Sequence, residues 1–148
     1  MIDFASHPAN LGLVRHCVRQ FLHERPFTAK EIDLMVLGVD EACTNIIRHA
    51  YQLADDQPIR LSLETCPSGG VRFRLRDFGV GFDGTTQGSR TAQGGRTLDN
   101  LRPGGLGMHL IRHAFDQVDY HRRQRGTLLV LTKHLGKEHA VARSPAMA

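Results

Sequence analysis

Asp77-Phe78-Gly79-Val80-Gly81-Phe82-Asp83-Gly84 can be read in three ways. Its first three residues spell the metal-binding triplet of protein kinases, and residues 79 to 84 satisfy the dinucleotide pattern G-x-G-x-x-G. Eight residues so rich in glycine also describe a turn with no ligand. The flanking chain weighs against the first two readings. With 148 residues the protein has the size of one domain, large enough to bury a core and too short for two. A protein kinase also needs a strand lysine and an H-R-D loop, and His121-Arg122-Arg123 lacks the aspartate. A dinucleotide fold needs an amphipathic helix that starts inside the glycine pattern. Asp83 leads instead into GTTQGSRTAQGGRTLDNLRPGG, almost bare of apolar residues, so Asp99 stands near the ribose-contact spacing by coincidence.

Outward from this stretch the pattern alternates between strands and helices. Ile59 to Thr65 and Val71 to Arg76 alternate as strands joined by the turn CPSGG. MIDFA reads as an edge strand, and Leu11, Val14, Cys17, Val18 and Phe21 recur at helical spacing from Pro8 to about His23, with Arg15 and Arg19 opposite. Thr28 with Glu31 forms a capping box that opens a long helix to about Ala50. On that helix Ile32, Val36, Val39, Cys43, Ile46 and Ala50 share one side, and Gly38, Glu41, Asn45 and Arg48 the other. Gly105 to Phe115 is a third helix; Gln117 to His121 and Thr127 to Lys133 are two more strands. The polar segment from 84 to about 104 cannot pack a core and reads as a lid, and the last dozen residues read as a loose tail. The expected organisation is one domain over 1–135 and a tail over 136–148.

Composition narrows the class. The 19 Lys and Arg against 15 Asp and Glu leave a net charge of +4 without the long basic run or aromatic-interleaved patch of a nucleic-acid binder. Cys17, Cys43 and Cys66 are odd in number and unpaired in spacing, as expected of buried reduced thiols in a cytoplasmic protein. The N-terminus has no export signal, and no apolar run reaches membrane-spanning length.

The glycine stretch does not stand alone. Glu41-Ala42-Cys43-Thr44-Asn45-Ile46-Ile47-Arg48-His49-Ala50 precedes it, and Gly104-Gly105-Leu106-Gly107-Met108 opens the third helix. The boxes E-A-x-T-N-x-x-x-H-A, D-x-G-x-G-F and G-G-x-G-M, in this order, resemble those of the Bergerat-fold (GHKL) ATPases shared by gyrase, Hsp90, histidine kinases and MutL. The wording of each, with LIRHAFDQVDY after the third, looks most like the anti-sigma factor serine kinases of bacteria, and the similarity runs from about Ile2 to about Lys133. It implies an α+β fold: a two-layer sandwich with a mixed, mostly antiparallel sheet, helices on one face and a Gly-rich ATP lid. It also implies ATP and Mg²⁺ as ligands, and a sigma factor and a STAS-type anti-sigma antagonist as partners of a homodimer. No contact with nucleic acid or membrane is expected. The catalytic domain of a histidine kinase fits less well, because no room exists upstream for a phosphoacceptor helix pair. The lid also lacks the threonine-and-lysine segment typical of the best-known sporulation and stress members.

The chemistry of single residues agrees. Glu41 and Asn45, four apart on a helix, project from one face. The neutral amide oxygen of Asn45 suits a hydrated Mg²⁺ that also binds phosphates, and Glu41 is placed to accept a proton from an incoming hydroxyl. By resemblance Glu41 is the catalytic base and Asn45 the magnesium ligand, and His49 is a structural or phosphate-side residue rather than a catalyst. The bland alternative, two exposed helix polars, is opposed by Gly38 one turn back, which costs the helix about 1 kcal/mol relative to alanine and signals a close approach. Asp77 ends a strand and in the resembled family binds the adenine amino group, with Gly79 and Gly81 leaving room for the base and Thr127 assisting. Gly104, Gly105, Leu106, Gly107 and Met108 stand at a helix start, where N–H groups and the dipole favour phosphate oxygens. No G-x-x-x-x-G-K-[ST] loop exists in the chain, so the phosphates must be held without its lysine. His109 and His113, four apart, lack a zinc helix's glutamate and read as a solvated face. Arg15, 26 residues before Glu41, matches an arginine that contacts both protein partners in the resembled kinases, with a solvated helix arginine as the even alternative. Two functions are therefore weighed: a serine kinase that also binds a sigma factor, and a non-catalytic ATP-binding module of the same fold.

Overall fold

A computed structural model describes residues 1–79 and 106–136. The strands β1 (Ile2–Ala5), β2 (Pro58–Thr65), β3 (Val71–Asp77), β4 (Gln117–Arg122) and β5 (Thr127–Lys133) form one sheet in the order β1-β2-β3-β5-β4. All four pairings are antiparallel, so the expected mixed sheet is corrected to a fully antiparallel one among the described residues. The cause is local. β2–β3 and β4–β5 are hairpins, and β3 pairs with β5 head to tail, from Val71 with Lys133 to Arg76 with Leu128.

β3 shows how the layers arise. Val71, Phe73, Leu75 and Asp77 are buried, while Arg72, Arg74 and Arg76 alternate onto the opposite, open face. The buried face meets the helices α1 (Leu11–His23), α2 (Ala29–Asn45) and α3 (Leu106–Ala114) in one core. A 3₁₀ turn, Pro8–Asn10, leads into α1, which buries Leu11, Val14, Val18 and Leu22 and leaves Cys17 and Phe21 half-buried. The capping box at the start of α2 is present in full: the Thr28 hydroxyl accepts from the Glu31 N–H, and the Glu31 carboxylate from the Thr28 N–H. The cysteines are free, but only Cys43 is buried; Cys17 and Cys66 are half-buried, the latter where the β2–β3 turn begins.

Two departures from the expected helices bear on the site. The helical stretch after Thr28 does not continue as α-helix to Ala50: it widens into a π-helical turn over Ile46–Ala50, directly after Asn45. Such widened turns are frequent at functional sites. Gly38 does not face a ligand. A Cβ there would lie 2.9 Å from the Phe115 ring and 3.0 Å from the Ala114 Cβ, so the close approach is that of α3. Phe115 in turn packs edge-to-face on Phe73, with ring centroids 5.6 Å apart, and thereby ties the end of α3 to the middle of the sheet.

Candidate functional site

α2 and α3 run antiparallel, and this places the residues expected on the phosphate side. Gly38 meets Ala114 and Phe115, and about one and two turns further along α2 Glu41 and Asn45 meet the first turn of α3. A Cβ on Gly107 would lie 2.7 Å from Glu41 Oε2 and 4.0 Å from Asn45 Nδ2. A side chain at 107 would have to push the Glu41 carboxylate out of this position. The Asn45 amide donates to Met108 Sδ at 3.9 Å, and the same sulfur accepts from the Tyr120 hydroxyl at 3.4 Å. Glu41, Asn45, Gly107 and Met108 are thus brought together. Glu41 and Asn45 are half-exposed, and the carboxylate stands beside a helix start whose dipole favours negative charge.

The second cluster is built largely from backbone. Asp77 ends β3 with only 3% of its surface exposed. Its carboxylate accepts from the Gly79 N–H at 3.1 Å and from the Thr127 N–H. Burial pushes the carboxyl above the ordinary carboxylate range, against the opposing pull of those two N–H groups and the Arg76 charge. A carboxylate so held keeps lone pairs for a further donor such as an exocyclic amine. Gly79 has a structural reason for its identity: a Cβ there would lie 2.4 Å from the Ala50 carbonyl oxygen, at the end of the π turn. The Tyr51 hydroxyl locks the same junction, accepting from the Phe78 N–H at 2.7 Å and donating to the Pro58 carbonyl. A groove of about 630 Å³ opens beside Phe78 and Gly79, between Tyr51 and the β4–β5 turn.

Sequence reasoning passed over Gly126, Tyr51 and Arg76. Gly126 adopts φ +71°, and a Cβ there would lie 2.1 Å from the Asp77 carbonyl oxygen. A glycine in the turn just before a strand is its only sequence signal, and nothing in the sequence marks Tyr51. His49 lies in the π turn near Asn45, half-exposed. Leu106 is the first residue of α3. Gly81, Gly104, Gly105, the lid and the tail beyond Gly136 lie outside the described residues. Arg15 is not simply solvated: its guanidinium pairs with Asp40 of α2 at 2.8 Å, next to Glu41, as Arg19 pairs with Asp33. His109 and His113 are exposed on α3, and among the described residues no group of three His, Cys, Asp or Glu side chains gathers as a metal cage. The single amide oxygen of Asn45 fits a Mg²⁺ bound chiefly through phosphates, the usual habit of that ion.

An antiparallel sheet covered by antiparallel α2 and α3, with Asp77 at a strand end and Glu41 and Asn45 against the start of α3, is the architecture of a GHKL-type ATPase. The chain belongs to the histidine kinase-like ATPase domain family, whose sequence model matches residues 4–133. It is 34% identical over 104 residues to the serine/threonine-protein kinase BtrW of Bordetella bronchiseptica, covering 70% of this chain and 71% of that one. It is 26% identical over 141 residues to the anti-sigma F factor of Priestia megaterium, covering 95% of each. To the serine-protein kinase RsbW of Bacillus subtilis it is 29% identical over 139 residues, covering 90% of this chain and 83% of the other. Among solved structures, the histidine kinase domain of a blue-light activated histidine kinase from Erythrobacter litoralis superposes with a TM-score of 0.57 at 16% identity. That match spans 90% of this chain and 63% of the other, and it bears on the fold alone.

Proposed function

We propose that this chain is an ATP-binding anti-sigma factor with protein serine kinase activity, which phosphorylates an anti-sigma antagonist and sequesters a sigma factor. The observation that carries the reading is the Glu41 carboxylate against Gly107 and beside Asn45 at the start of α3. In this reading Asp77 accepts a hydrogen bond from the adenine amine, helped by Thr127, Gly79 and Gly81. Leu106, Gly107 and Met108 of the first turn of α3, together with Gly104 and Gly105 before them in the sequence, receive the phosphates, and His49 lies on their side. Mg²⁺, held by Asn45 and the phosphates, supplies charge neutralisation during transfer. Glu41 accepts the proton of an incoming serine hydroxyl as its oxygen bonds to the terminal phosphorus and the bond to the β-phosphate oxygen breaks, leaving ADP. The names of the relatives support the kinase and anti-sigma roles. We further propose a cytoplasmic homodimer acting in transcription regulation in a bacterium, with one domain over 1–135; among the described residues no helix is long and apolar enough to cross a membrane.

The test is phosphoryl transfer. ATP labelled in its terminal phosphate is incubated with the protein, Mg²⁺ and the small antagonist protein that co-purifies from the host. Label on a serine of that protein is expected. Tight ATP binding with no transfer to any co-purifying protein would replace the reading with that of a non-catalytic regulatory module.

A further inference from the structure

We infer that Arg76 is a positioning residue for the Asp77 carboxylate and, through it, for selection of adenine, acting from the face of the sheet opposite the nucleotide. The inference rests on the proposed role of Asp77 in binding the nucleotide base.

β3 alternates, so Arg72, Arg74 and Arg76 stand on the open face while Asp77 turns inward. Arg72 and Arg74 form ion pairs with Glu64 across the β2–β3 ladder. Arg76 is used differently. Its Nη1 donates to the carbonyls of Asp77 and, at 3.2 Å, Thr127, and its Nη2 donates to the Arg125 carbonyl at 2.6 Å. The guanidinium carbon lies 4.5 Å from the centroid of the Phe78 ring, which holds the fork in place from the side.

The location explains the arrangement. Registered pairing of β3 with β5 ends at Arg76 opposite Leu128. Beyond that point the strand end carrying Asp77 and the turn carrying Arg125 and Gly126 have no ladder between them. The planar fork of Arg76 joins the two segments through their carbonyls, a geometry that lysine's single ammonium cannot reproduce. One consequence reaches the other face. Arg76 holds the Arg125 and Thr127 carbonyls, one on each side of the Gly126–Thr127 peptide, whose own carbonyl accepts from the Arg123 N–H; that peptide's N–H is thereby held toward the Asp77 carboxylate, and Gly126 against the Asp77 carbonyl. The direction in which Asp77 offers its remaining lone pairs is therefore set from below the sheet. Recognition of this kind requires placement within about 0.5 Å.

The experiment compares ATP with inosine triphosphate, whose base carries a carbonyl oxygen where adenine carries its amine. Calorimetric titration of both, with Mg²⁺, is run on the wild type and on Arg76→Ala, Arg76→Lys and, as a control for loss of an open-face arginine, Arg74→Ala. The wild type and Arg74→Ala should prefer ATP by about tenfold or more, the scale of one well-made polar contact. Arg76→Ala should lose most of that preference by weakening ATP alone, and Arg76→Lys should fall between the two. Arg76→Lys keeps the charge and the stem, so it decides the matter if Arg76→Ala does not fold. Equal weakening of both nucleotides, or an unchanged preference in a folded Arg76 variant, would overturn the positioning role. A wild type that binds neither nucleotide, or binds both alike, would overturn the reading of Asp77 itself, and this inference with it.

Discussion

The two clusters of the site are held by different physical means. At the proposed base end the components are peptide groups: the Gly79 and Thr127 N–H groups on Asp77, Gly79 against the Ala50 carbonyl, and Gly126 against the Asp77 carbonyl. At the phosphate end they are side chains on two helices, Glu41 and Asn45 against Gly107 and Met108. Peptide groups at strand ends and turns move only if the backbone itself moves, whereas half-exposed side chains on a helix can change rotamer. The base end is therefore part of the folded framework, and the phosphate end is an addition to it. Substitutions at the base end should cost stability and affinity together. Those at the phosphate end should cost chemistry and spare the fold.

The largest expected effect is at the phosphate end. Glu41→Ala should slow phosphoryl transfer about 100-fold or more, the scale of a lost general base, while leaving ATP affinity within about twofold. Asn45→Ala should lose magnesium-dependent affinity as well. Single-turnover transfer and equilibrium ATP binding measure the two quantities, and a normal transfer rate in Glu41→Ala would remove the base assignment.

Next comes Gly126→Ala. Its positive φ and the overlap with the Asp77 backbone should together cost about 3 kcal/mol or more in denaturant unfolding. Gly38→Ala meets only the Phe115 ring edge and the Ala114 methyl and gains helix propensity, so its net cost should be about 1 kcal/mol. If the two substitutions cost the same, the backbone overlap at Gly126 is no more rigid than a helix-packing contact and the base end is not a fixed framework.

Asp77→Asn should weaken ATP by about tenfold or more, since it trades a carboxylate acceptor for an amide that must turn N–H toward the Gly79 or Thr127 N–H. The pH response sharpens this. Burial raises the folded-state value of the Asp77 carboxyl, so between that value and the ordinary one the folded protein binds more protons than the unfolded chain. This carboxyl's contribution to stability therefore grows as pH falls through that window, and it is lost as pH rises above it. ATP affinity should move the other way, because protonation removes the charged acceptor. Unfolding and ATP titration of the wild type and Asp77→Asn on acidification test both signs.

The smallest effect on the fold is expected at Arg15. Its exposed pair with Asp40 contributes less than about 1 kcal/mol, so Arg15→Ala should melt almost as the wild type does and bind ATP equally. If Arg15 also anchors a protein partner, affinity for that partner should drop about tenfold. Titration of the co-purified partner against both proteins measures it, and equal affinities would leave Arg15 with the Asp40 pair alone.

The strands, the helices and the capping box were legible because periodicity and local hydrogen bonding act over a few residues. The three boxes placed Glu41, Asn45 and Asp77 on the right elements for the same reason. The π turn after Asn45 was not legible, because it depends on how the helix end meets Gly79 and Tyr51. Gly38 shows the limit well: its spacing put it beside Glu41, and helical periodicity alone could not say that α3, rather than a ligand, comes close there. Gly107, Gly126 and Arg76 owe their roles to segments far away in sequence, Glu41 in the first case and the Asp77 strand end in the other two.

By itself, then, the sequence determined the order of elements, their buried faces and the chemical character of the site, since these depend on side-chain type and short-range spacing. Only the tertiary structure decided which glycines carry close contacts, which arginines are tied down and how Asp77 is aimed. Those properties depend on distances of a few ångströms between segments that no local pattern relates.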